Sequence, residues 1–469
     1  MWLSRRQRTA SDYFLGARDL PTWSVLLSVV ATETSAVTVI SIPGIGARGD
    51  LTFLQVAIGY VVGRIVVAYW LLPGYFQGEQ LTAYARLEGR FGTGTRRAIS
   101  SVFLVTRFLA DGVRIFAGAI PLALVTGWSI PVAIVVMGVV TLVYTLFGGL
   151  KAVVWADVVQ LTVYMLGGAV ALSIAWQLAG GPGEALAIAR DAGKLTIFDF
   201  RLDLTTTYTF VGGLIGGGML SAASHGTDQL IVQRLLATGS LSRARVALLG
   251  SGILVFMQFL LFLLVGSAIW AAGLAPDSLA SDQIFPRFII DHLPPGLAGL
   301  LVAGILAAAM STLSSSINAL ASSVTLDLYA TRTKPVSPRE LLRVGRIFSA
   351  MWAFGLVGAA LAFFAAAGMG TPVVVLALSI ASITYGGLLG TYILAGSWPR
   401  AQSRDVITAV VASVGMMLIV VFANRLTDDP TSWLASLGRL AWPWYVPLGT
   451  ALTVTIGMGV SLLPGRTDP

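Results

Sequence analysis

Residues 31–44 read ATETSAVTVISIPG and interrupt an apolar stretch, residues 22–47, that is long enough to cross a membrane. Residues 32–35 are all polar, and Pro43 lacks the amide hydrogen that a continuous helix needs. Broken backbone at membrane depth is tolerated only where it lines a cavity or is buried in protein. The stretch therefore predicts a broken membrane helix beside an internal site.

The rest of the chain has the composition of a membrane protein. Of the 469 residues, 56% are hydrophobic and 11% are charged. The mean hydropathy is +0.83, whereas soluble domains carry about 25% charged residues. Apolar runs of about 20 residues, the length of a membrane span, recur from end to end. We therefore predict a single all-α transmembrane domain over residues 1–469, with no soluble domain.

Twelve membrane spans follow from these apolar runs. They are predicted at 22–47, 51–76, 99–125, 129–147, 154–179, 207–224, 244–272, 296–327, 341–369, 372–396, 405–424 and 442–463. An even number of spans places both termini on one side, and the basic residues choose the side. With the N-terminus in the cytoplasm, most of the 30 Lys and Arg residues fall in cytoplasmic segments. We therefore predict a multi-pass protein of the cell membrane, inner or plasma, with both termini cytoplasmic.

A second irregular span lies five spans after the first. Residues 210–226 read FVGGLIGGGMLSAASHG, and glycine is entropically costly in a helix. Close packing alone explains these glycines, as does packing combined with unwinding, and the match to span one favours the second. Broken spans at corresponding positions are typical of a leucine-transporter-like 5+5 inverted repeat. Residues 22–396 would then form a ten-helix core and residues 397–469 two peripheral helices.

The chain contains no cysteine and two histidines, His225 and His292. These counts exclude a disulfide framework, thiolate metal sites and a cysteine nucleophile. Both histidines lie at predicted span ends and are predicted to be interfacial. We find no nucleophile–base pair and no nucleotide motif in a suitable context, so the chain is not predicted to be an enzyme. The scattered basic residues do not indicate nucleic-acid binding.

Span eight contains AAAMSTLSSSINAL at 307–320. Ala308, Ser311, Thr312 and Ser315 have the spacing of one helical face. Sodium is a hard cation that takes oxygen ligands, and a broken helix nearby supplies free carbonyls. The spacing alone leaves two hypotheses open, namely a cation site and a polar seam between helices.

Charged residues inside spans are costly and are therefore candidates for function. Arg107, Asp111 and Arg114 fall at i, i+4 and i+7 of span three. Either Asp111 neutralises one arginine in a structural pair, or Arg114 stays available for an anionic group of a substrate. Glu33 in span one is predicted to have Arg64 in span two as its counter-ion.

Five motifs in this order resemble the sodium:solute symporter family, which includes the proline, sodium/glucose, iodide and sialic acid transporters. They are SDYFLGARDLP at 11–21, ATETSAVTVISIPG at 31–44, GGLKAVVWADVVQ at 148–160, GTDQLIVQRLLAT at 226–238 and AAAMSTLSSSINAL at 307–320. The fourth is similar to the loop that follows the sixth core helix, and the last to the family's sodium helix. Members usually carry an additional helix before the first motif. The printed sequence starts where that helix would end, and we expect all ten core helices to be present.

The resemblance implies three sets of site residues. The main sodium site would use carbonyls of Ala31, Thr34 and Ala308 with the hydroxyls of Ser311 and Thr312. A second sodium site, found in some members, is matched by Asp157, Ser311, Ser314 and Ser315. The substrate cavity would be lined by Thr38, Arg114, Ser221 and Tyr385, together with the charged Glu33 and Asp111.

The resemblance also implies a function. We expect a sodium-coupled secondary active symporter that imports a small organic solute by alternating access, with one or two Na⁺ per cycle. Arg114 favours a small organic anion. Two alternatives stay open, namely a proton-coupled or exchange carrier that uses Glu33 or Asp157, and a substrate-sensing membrane protein with little flux. The expected partners are the lipid bilayer and the solute, with no nucleic acid and no obligate protein partner.

Overall fold

The computed structural model describes residues 9–34, 36–78, 80–331, 336–366, 373–427, 429 and 431–463. These ranges are built from α-helices joined by short connections. The helices of the first half are α1 (Ala10–Leu15), α2 (Thr22–Glu33), α3 (Ala36–Arg48), α4 (Leu54–Val66), α5 (Leu72–Tyr75), α6 (Ala85–Thr126), α7 (Ile130–Leu178) and α8 (Pro182–Asp191). Those of the second half are α9 (Gly218–Gly226), α10 (Gln229–Leu236), α11 (Leu241–Ala271), α12 (Ser281–His292), α13 (Pro295–Ser323), α14 (Pro338–Ala366), α15 (Val373–Ser397), α16 (Ser403–Leu426), α17 (Trp433–Gly438) and α18 (Tyr445–Ser461).

Each predicted span overlaps helical structure in the described residues, although residues at several predicted ends, such as 51–53 and 207–209, are not helical. By length and composition, seven helices of the described ranges can cross a membrane, or eight if the bent pair α2 and α3 forms one span. Ile130–Val143 is a shorter apolar helix. The sequence places a connection at 148–153, but the backbone there is helical within α7, because the residues that follow Gly149 favour helix and include no proline. The predicted boundary at 369–372 lies outside the described residues.

Span one is broken, as predicted. Helix α2 ends at Glu33, and the chain turns by 59° before α3 continues the span. Thr34 leaves the helical conformation with ψ 76°, although its amide still donates to the Val30 carbonyl oxygen at 2.8 Å. Ser35 lies outside the described residues. The carbonyl groups at the end of a helix have no following turn to donate to them, so a break at this point favours carbonyls that are free for other ligands.

Span six is also broken, but not at the glycines. The glycine run Gly212–Gly217 is a π-helix that leads directly into α9, so the prediction of unwinding there was wrong. These glycines allow close packing against α4. A Cβ added at Gly213 would lie 2.6 Å from the backbone carbonyl carbon of Gln55 in α4, and there is no room for one. The break comes at Thr227 and Asp228, which are not helical.

The segment after this break is the helix α10, whereas the resemblance to the family predicted a loop there. All eight residues of α10 are buried. Asp228 begins the helix, because its carboxylate accepts a hydrogen bond from the Leu230 amide at 2.8 Å. Span six therefore consists of α9 and α10 with a break between them, as span one consists of α2 and α3.

Helices α16 and α18 pack on the outside of α15. A Cβ added at Gly386 of α15 would lie 2.7 Å from the backbone of Gly449, so the two helices touch through their backbones.

Candidate functional site

A cavity lies where the two broken spans meet. The break of span one contributes Thr32, Glu33 and Thr38. The remaining lining comes from helices α4, α6, α9, α10, α11 and α15 and a neighbouring loop, and includes Phe53, Tyr60, Arg107, Arg114, Leu220, Ser224, His225, Leu230, Ile231, Phe259, Leu378, Ala381 and Tyr385. The cavity is therefore walled by hydrophobic and aromatic side chains and by a few polar groups, as small-molecule sites usually are.

One side of the cavity carries a buried charge cluster on Glu33. Arg64 donates to Glu33 Oε2, which confirms the predicted counter-ion. Arg64 also donates to His225 Nε2 at 3.0 Å. Because an arginine can only donate, Nε2 of His225 accepts and Nδ1 carries the proton, which points to the Ser221 carbonyl oxygen at 3.1 Å.

The prediction for His225 was wrong, because this residue is buried rather than interfacial. Its position at the end of a predicted span concealed the contact with Arg64, which lies 161 residues away in the chain. His292, by contrast, is exposed.

Two arginines of α6 also line the cavity. Asp228 binds Arg107. Asp228 Oδ2 lies 2.9 Å from Arg107 Nε and 2.6 Å from Arg107 Nη2. Arg114 contacts Asp111 Oδ1 at 3.0 Å, and its side chain is 15% exposed, compared with 4% for Arg107. Tyr385 donates to Asp228 at 2.6 Å. Asp111 is thus paired with both arginines, at 3.4 Å from Arg107 and 3.0 Å from Arg114, and Arg114 is the more exposed of the two.

Four of the six predicted substrate residues line this cavity, namely Glu33, Thr38, Arg114 and Tyr385. Two do not. Asp111 is fully buried behind Arg114, where Ser316 donates to its second oxygen at 2.6 Å. Ser221 donates instead to the Tyr60 carbonyl oxygen at 2.9 Å, which joins α9 to α4. The i, i+4 and i+7 spacing could not show which member of the triplet faces the cavity.

The hydroxyl face of span eight packs against the broken end of span one, since α13 contacts both α2 and α3. Thr312 Oγ1 lies 3.1 Å from the Ala308 carbonyl oxygen, so two of the predicted sodium ligands are already neighbours. Ser311 donates to Asp157 Oδ1. Thr34 donates its hydroxyl to Gln258 Oε1 at 2.8 Å, which leaves its carbonyl as the predicted ligand. Ala31 lies in the last turn of α2 and is buried.

Asp157 of α7 is the centre of a second buried cluster, which we call the Asp157 cluster: Ser28, Asp157, Arg234, Ser311 and Ser315. Ser28 donates to one carboxylate oxygen and Ser311 to the other. Arg234 of α10 donates to Asp157 at 3.2 Å and to Ser315 Oγ at 2.5 Å. Ser314 does not join the cluster, because its hydroxyl donates to the Ser311 carbonyl oxygen at 3.0 Å.

Comparison with known proteins agrees with this architecture. The profile of the sodium:solute symporter family matches residues 13–415. The chain belongs to the sodium:solute symporter family. It is therefore a transporter rather than an enzyme, and it is a sodium-coupled symporter with the leucine-transporter-like fold.

Relatives within the family are named for different solutes. The human sodium/iodide cotransporter is 31% identical over 90% of this chain and 66% of its own length. The mouse sodium-coupled monocarboxylate transporter 1 is 31% identical over 90% of this chain and 69% of its own length. The substrate-bound outward-open structure of a Na⁺-coupled sialic acid symporter superposes with a TM-score of 0.85 at 25% identity, covering 98% of this chain and 93% of the other.

Three buried positions in the two charged clusters were not predicted from the sequence. Asp228 and Arg234 lie in the segment interpreted as a loop, and His225 was assigned to the membrane surface. The N-cap aspartate before an apolar run at 229–236 was the one available signal for a helix there. Their partners lie on other spans, so no local pattern identifies the contacts.

Proposed function

We propose that this symporter imports a small organic anion together with Na⁺. The observation that carries this proposal is Arg114, whose guanidinium faces the cavity between the broken spans while Asp111 engages only one of its nitrogens. An arginine binds carboxylates in a planar, two-pronged geometry that lysine cannot reproduce. Thr38, Tyr385 and Glu33 complete the polar lining in this proposal, with Asp111 and Ser221 as supports behind it.

The charge balance of the cavity favours sodium as the partner of an anion. Three arginines at the cavity, Arg64, Arg107 and Arg114, are matched by three carboxylates, namely Glu33, Asp111 and Asp228. The protein alone therefore offers an anion no net positive charge. A bound Na⁺ nearby would supply it, so sodium binding should precede solute binding.

The proposed main sodium site uses the carbonyls of Ala31, Thr34 and Ala308 with the hydroxyls of Ser311 and Thr312. The support is the contact of α13 with α2 and α3, together with the burial of the Ser311 and Thr312 hydroxyls. An ion there would hold the two helices together, and its loss would release them.

A second sodium at Asp157, Ser311, Ser314 and Ser315 is a separate proposal. Arg234 already neutralises Asp157, so a second cation would have to share this carboxylate with the guanidinium. One ion per cycle therefore suffices for coupling, and a second ion is tested independently below.

We propose that the protein lies in the inner or plasma membrane and that both termini are in the cytoplasm. Residues 22–396 form the transport core and residues 397–469 the peripheral helices. Sodium and solute enter from outside, and the inner halves α2 and α10 then move to open the cytoplasmic path. A membrane potential of ~100 mV contributes about 2.3 kcal/mol per charge, and a tenfold sodium gradient about 1.4 kcal/mol. One ion therefore sustains roughly a 500-fold gradient of a neutral solute. A monovalent anion imported with one Na⁺ moves no net charge, so the sodium gradient alone drives it and sustains roughly a tenfold gradient of the anion.

The test is counterflow in proteoliposomes that contain the purified chain, with choline replacing Na⁺ at fixed pH. We expect accumulation of radiolabelled organic acids from a mixed panel only when Na⁺ is present. Equal accumulation in choline, with dependence on a pH gradient instead, would contradict sodium coupling and favour the proton-coupled alternative.

A further inference from the structure

The cavity has an unused hydrogen-bond acceptor as well as an unused donor. Arg64 binds Glu33 through Oε2, and His225 Nε2 lies 3.6 Å from the same oxygen. Among the residues that the structure describes, none hydrogen-bonds to Glu33 Oε1. The Glu33 side chain is 17% exposed and lines the cavity, so this oxygen is accessible to a solute.

Two hydroxyls that line the cavity are engaged elsewhere. Thr32 donates to the Ser28 carbonyl oxygen at 2.7 Å. Ser224 lies 2.8 Å from His225 Nδ1 and 3.3 Å from the Ser221 carbonyl oxygen. Thr38 and Tyr60 also line the cavity, and neither hydroxyl donates to Glu33 Oε1. Within the described part of the chain, Glu33 Oε1 is therefore left to accept a hydrogen bond from a solute or from water. An unpaired carboxylate oxygen in a closed site is costly, so a solute that supplies a donor gains affinity.

Arg64 and His225 also fix which oxygen faces the cavity. Arg64 has its guanidinium fully buried between Glu33 and His225, and it does not line the cavity. A half-turn of the Glu33 carboxylate would exchange its two equivalent oxygens, but one oxygen would still accept from Arg64 and the other would still face the cavity. The acceptor on this side of the cavity is therefore permanent.

The arginines of α6 that line the cavity provide donors. Arg107 is held by Asp228 and Asp111, whereas Arg114 uses one nitrogen for Asp111 and turns the rest of its guanidinium to the cavity. A solute that fills the cavity thus meets a donor group at α6 and an acceptor at the end of α2. An anion that carries no hydrogen-bond donor would place an acceptor next to Glu33 Oε1, and the repulsion between the two acceptors would weaken its binding.

We propose that the solute is an organic acid that also carries a hydroxyl or ammonium group, with its carboxylate on Arg114 and that second group on Glu33 Oε1. This inference rests on the proposed import of an organic anion and narrows its class. It predicts selection against inorganic anions and against simple acids that carry no donor besides the carboxyl group.

The experiment compares matched acids on the full-length protein in detergent, by thermal shift in NaCl and in choline chloride. The pairs are propionate with lactate, propionate with alanine, and cyclopentanecarboxylate with proline. We expect a larger stabilisation by the donor-bearing member of at least one pair, in Na⁺ only, with at least a tenfold lower half-saturating concentration. Equal or stronger stabilisation by the donor-free members, or no stabilisation by any donor-bearing acid, would overturn the inference.

A substitution at Glu33 sharpens this result. In Glu33→Gln the amide oxygen stays on Arg64 and the amide nitrogen faces the cavity, so an acceptor becomes a donor. The preference within each pair should fall at least tenfold or reverse. Glu184→Gln makes the same change at an exposed position outside the cavity and should leave the preference intact. If Glu33→Gln does not fold, the matched pairs on the unmodified protein still decide.

Failure of this inference and failure of the proposed function give different results. If Na⁺ stabilises the protein and donor-free acids bind best, the inference falls while sodium-coupled anion transport stands. If Na⁺ gives no stabilisation relative to choline and no acid binds, both fall.

Discussion

The Asp157 cluster and the cavity are both buried and charged, yet they differ in how completely their polar atoms are used. In the Asp157 cluster, both oxygens of Asp157 accept hydrogen bonds, and Arg234 donates from each of its three nitrogens. In the cavity, Glu33 Oε1 and most of the Arg114 guanidinium have no hydrogen-bond partner among the described residues. A saturated cluster fixes helices to one another, and an unsaturated one is able to bind a solute.

The largest effect is expected where the saturated cluster loses its acid. Asp157→Ala leaves Arg234 buried without a counter-charge, which costs about 3–5 kcal/mol of stability. Thermal or chemical denaturation in detergent measures this loss. Asp277→Ala removes an exposed acid that pairs with Arg48 and should change stability by about 0.5 kcal/mol or less. Similar losses in both variants would show that the Asp157 cluster stabilises the fold no more than an exposed ion pair does.

A smaller effect is expected where the sodium ligands are removed one at a time. Ser311→Ala and Thr312→Ala should each raise the Na⁺ concentration for half-maximal uptake about tenfold, which corresponds to about 1.4 kcal/mol. Thr162→Ala removes an exposed hydroxyl that bonds within its own helix, and it should leave sodium dependence unchanged. Unaltered sodium dependence in both site variants would refute the ion-site assignment.

Arg114→Lys tests the unsaturated side directly. Lysine keeps the charge but cannot form two parallel bonds to a carboxylate, so the concentration of an organic acid for half-maximal uptake should rise about tenfold. Arg107→Lys disturbs an arginine that is already engaged by Asp228, so stability should fall more than in Arg114→Lys. Normal uptake in Arg114→Lys would show that Arg114 is structural.

The smallest effect concerns stoichiometry. If a second Na⁺ binds beside Asp157, the Hill slope for sodium exceeds one and falls toward one in Ser314→Ala. A slope near one in the unmodified protein, with no change in the variant, would leave one ion per cycle.

Much of the candidate site followed from local chemistry. Polar residues and a proline inside an apolar stretch predicted the break after α2, because they cannot sustain a continuous membrane helix. Regular spacing predicted that Ser311 and Thr312 share one face. The pairing of Glu33 with Arg64 followed from the cost of an isolated charge inside a membrane.

The errors share one cause. Glycines weaken a helix in isolation, but in span six the backbone of α4 fills the space that side chains would occupy. His225 and Asp111 were assigned from their depth and spacing, whereas their roles depend on Arg64 and on Ser316, which lie far away in the chain.

The sequence by itself determined the membrane-spanning class, the broken first span and the residue types of the ion and solute sites, because burial in lipid restricts which side chains a helix can carry. Tertiary structure alone decided which arginine is satisfied and which is available, and which oxygen of Glu33 faces the cavity. Those outcomes depend on distances between groups on different helices, and a charge has no preferred partner until packing brings one within reach.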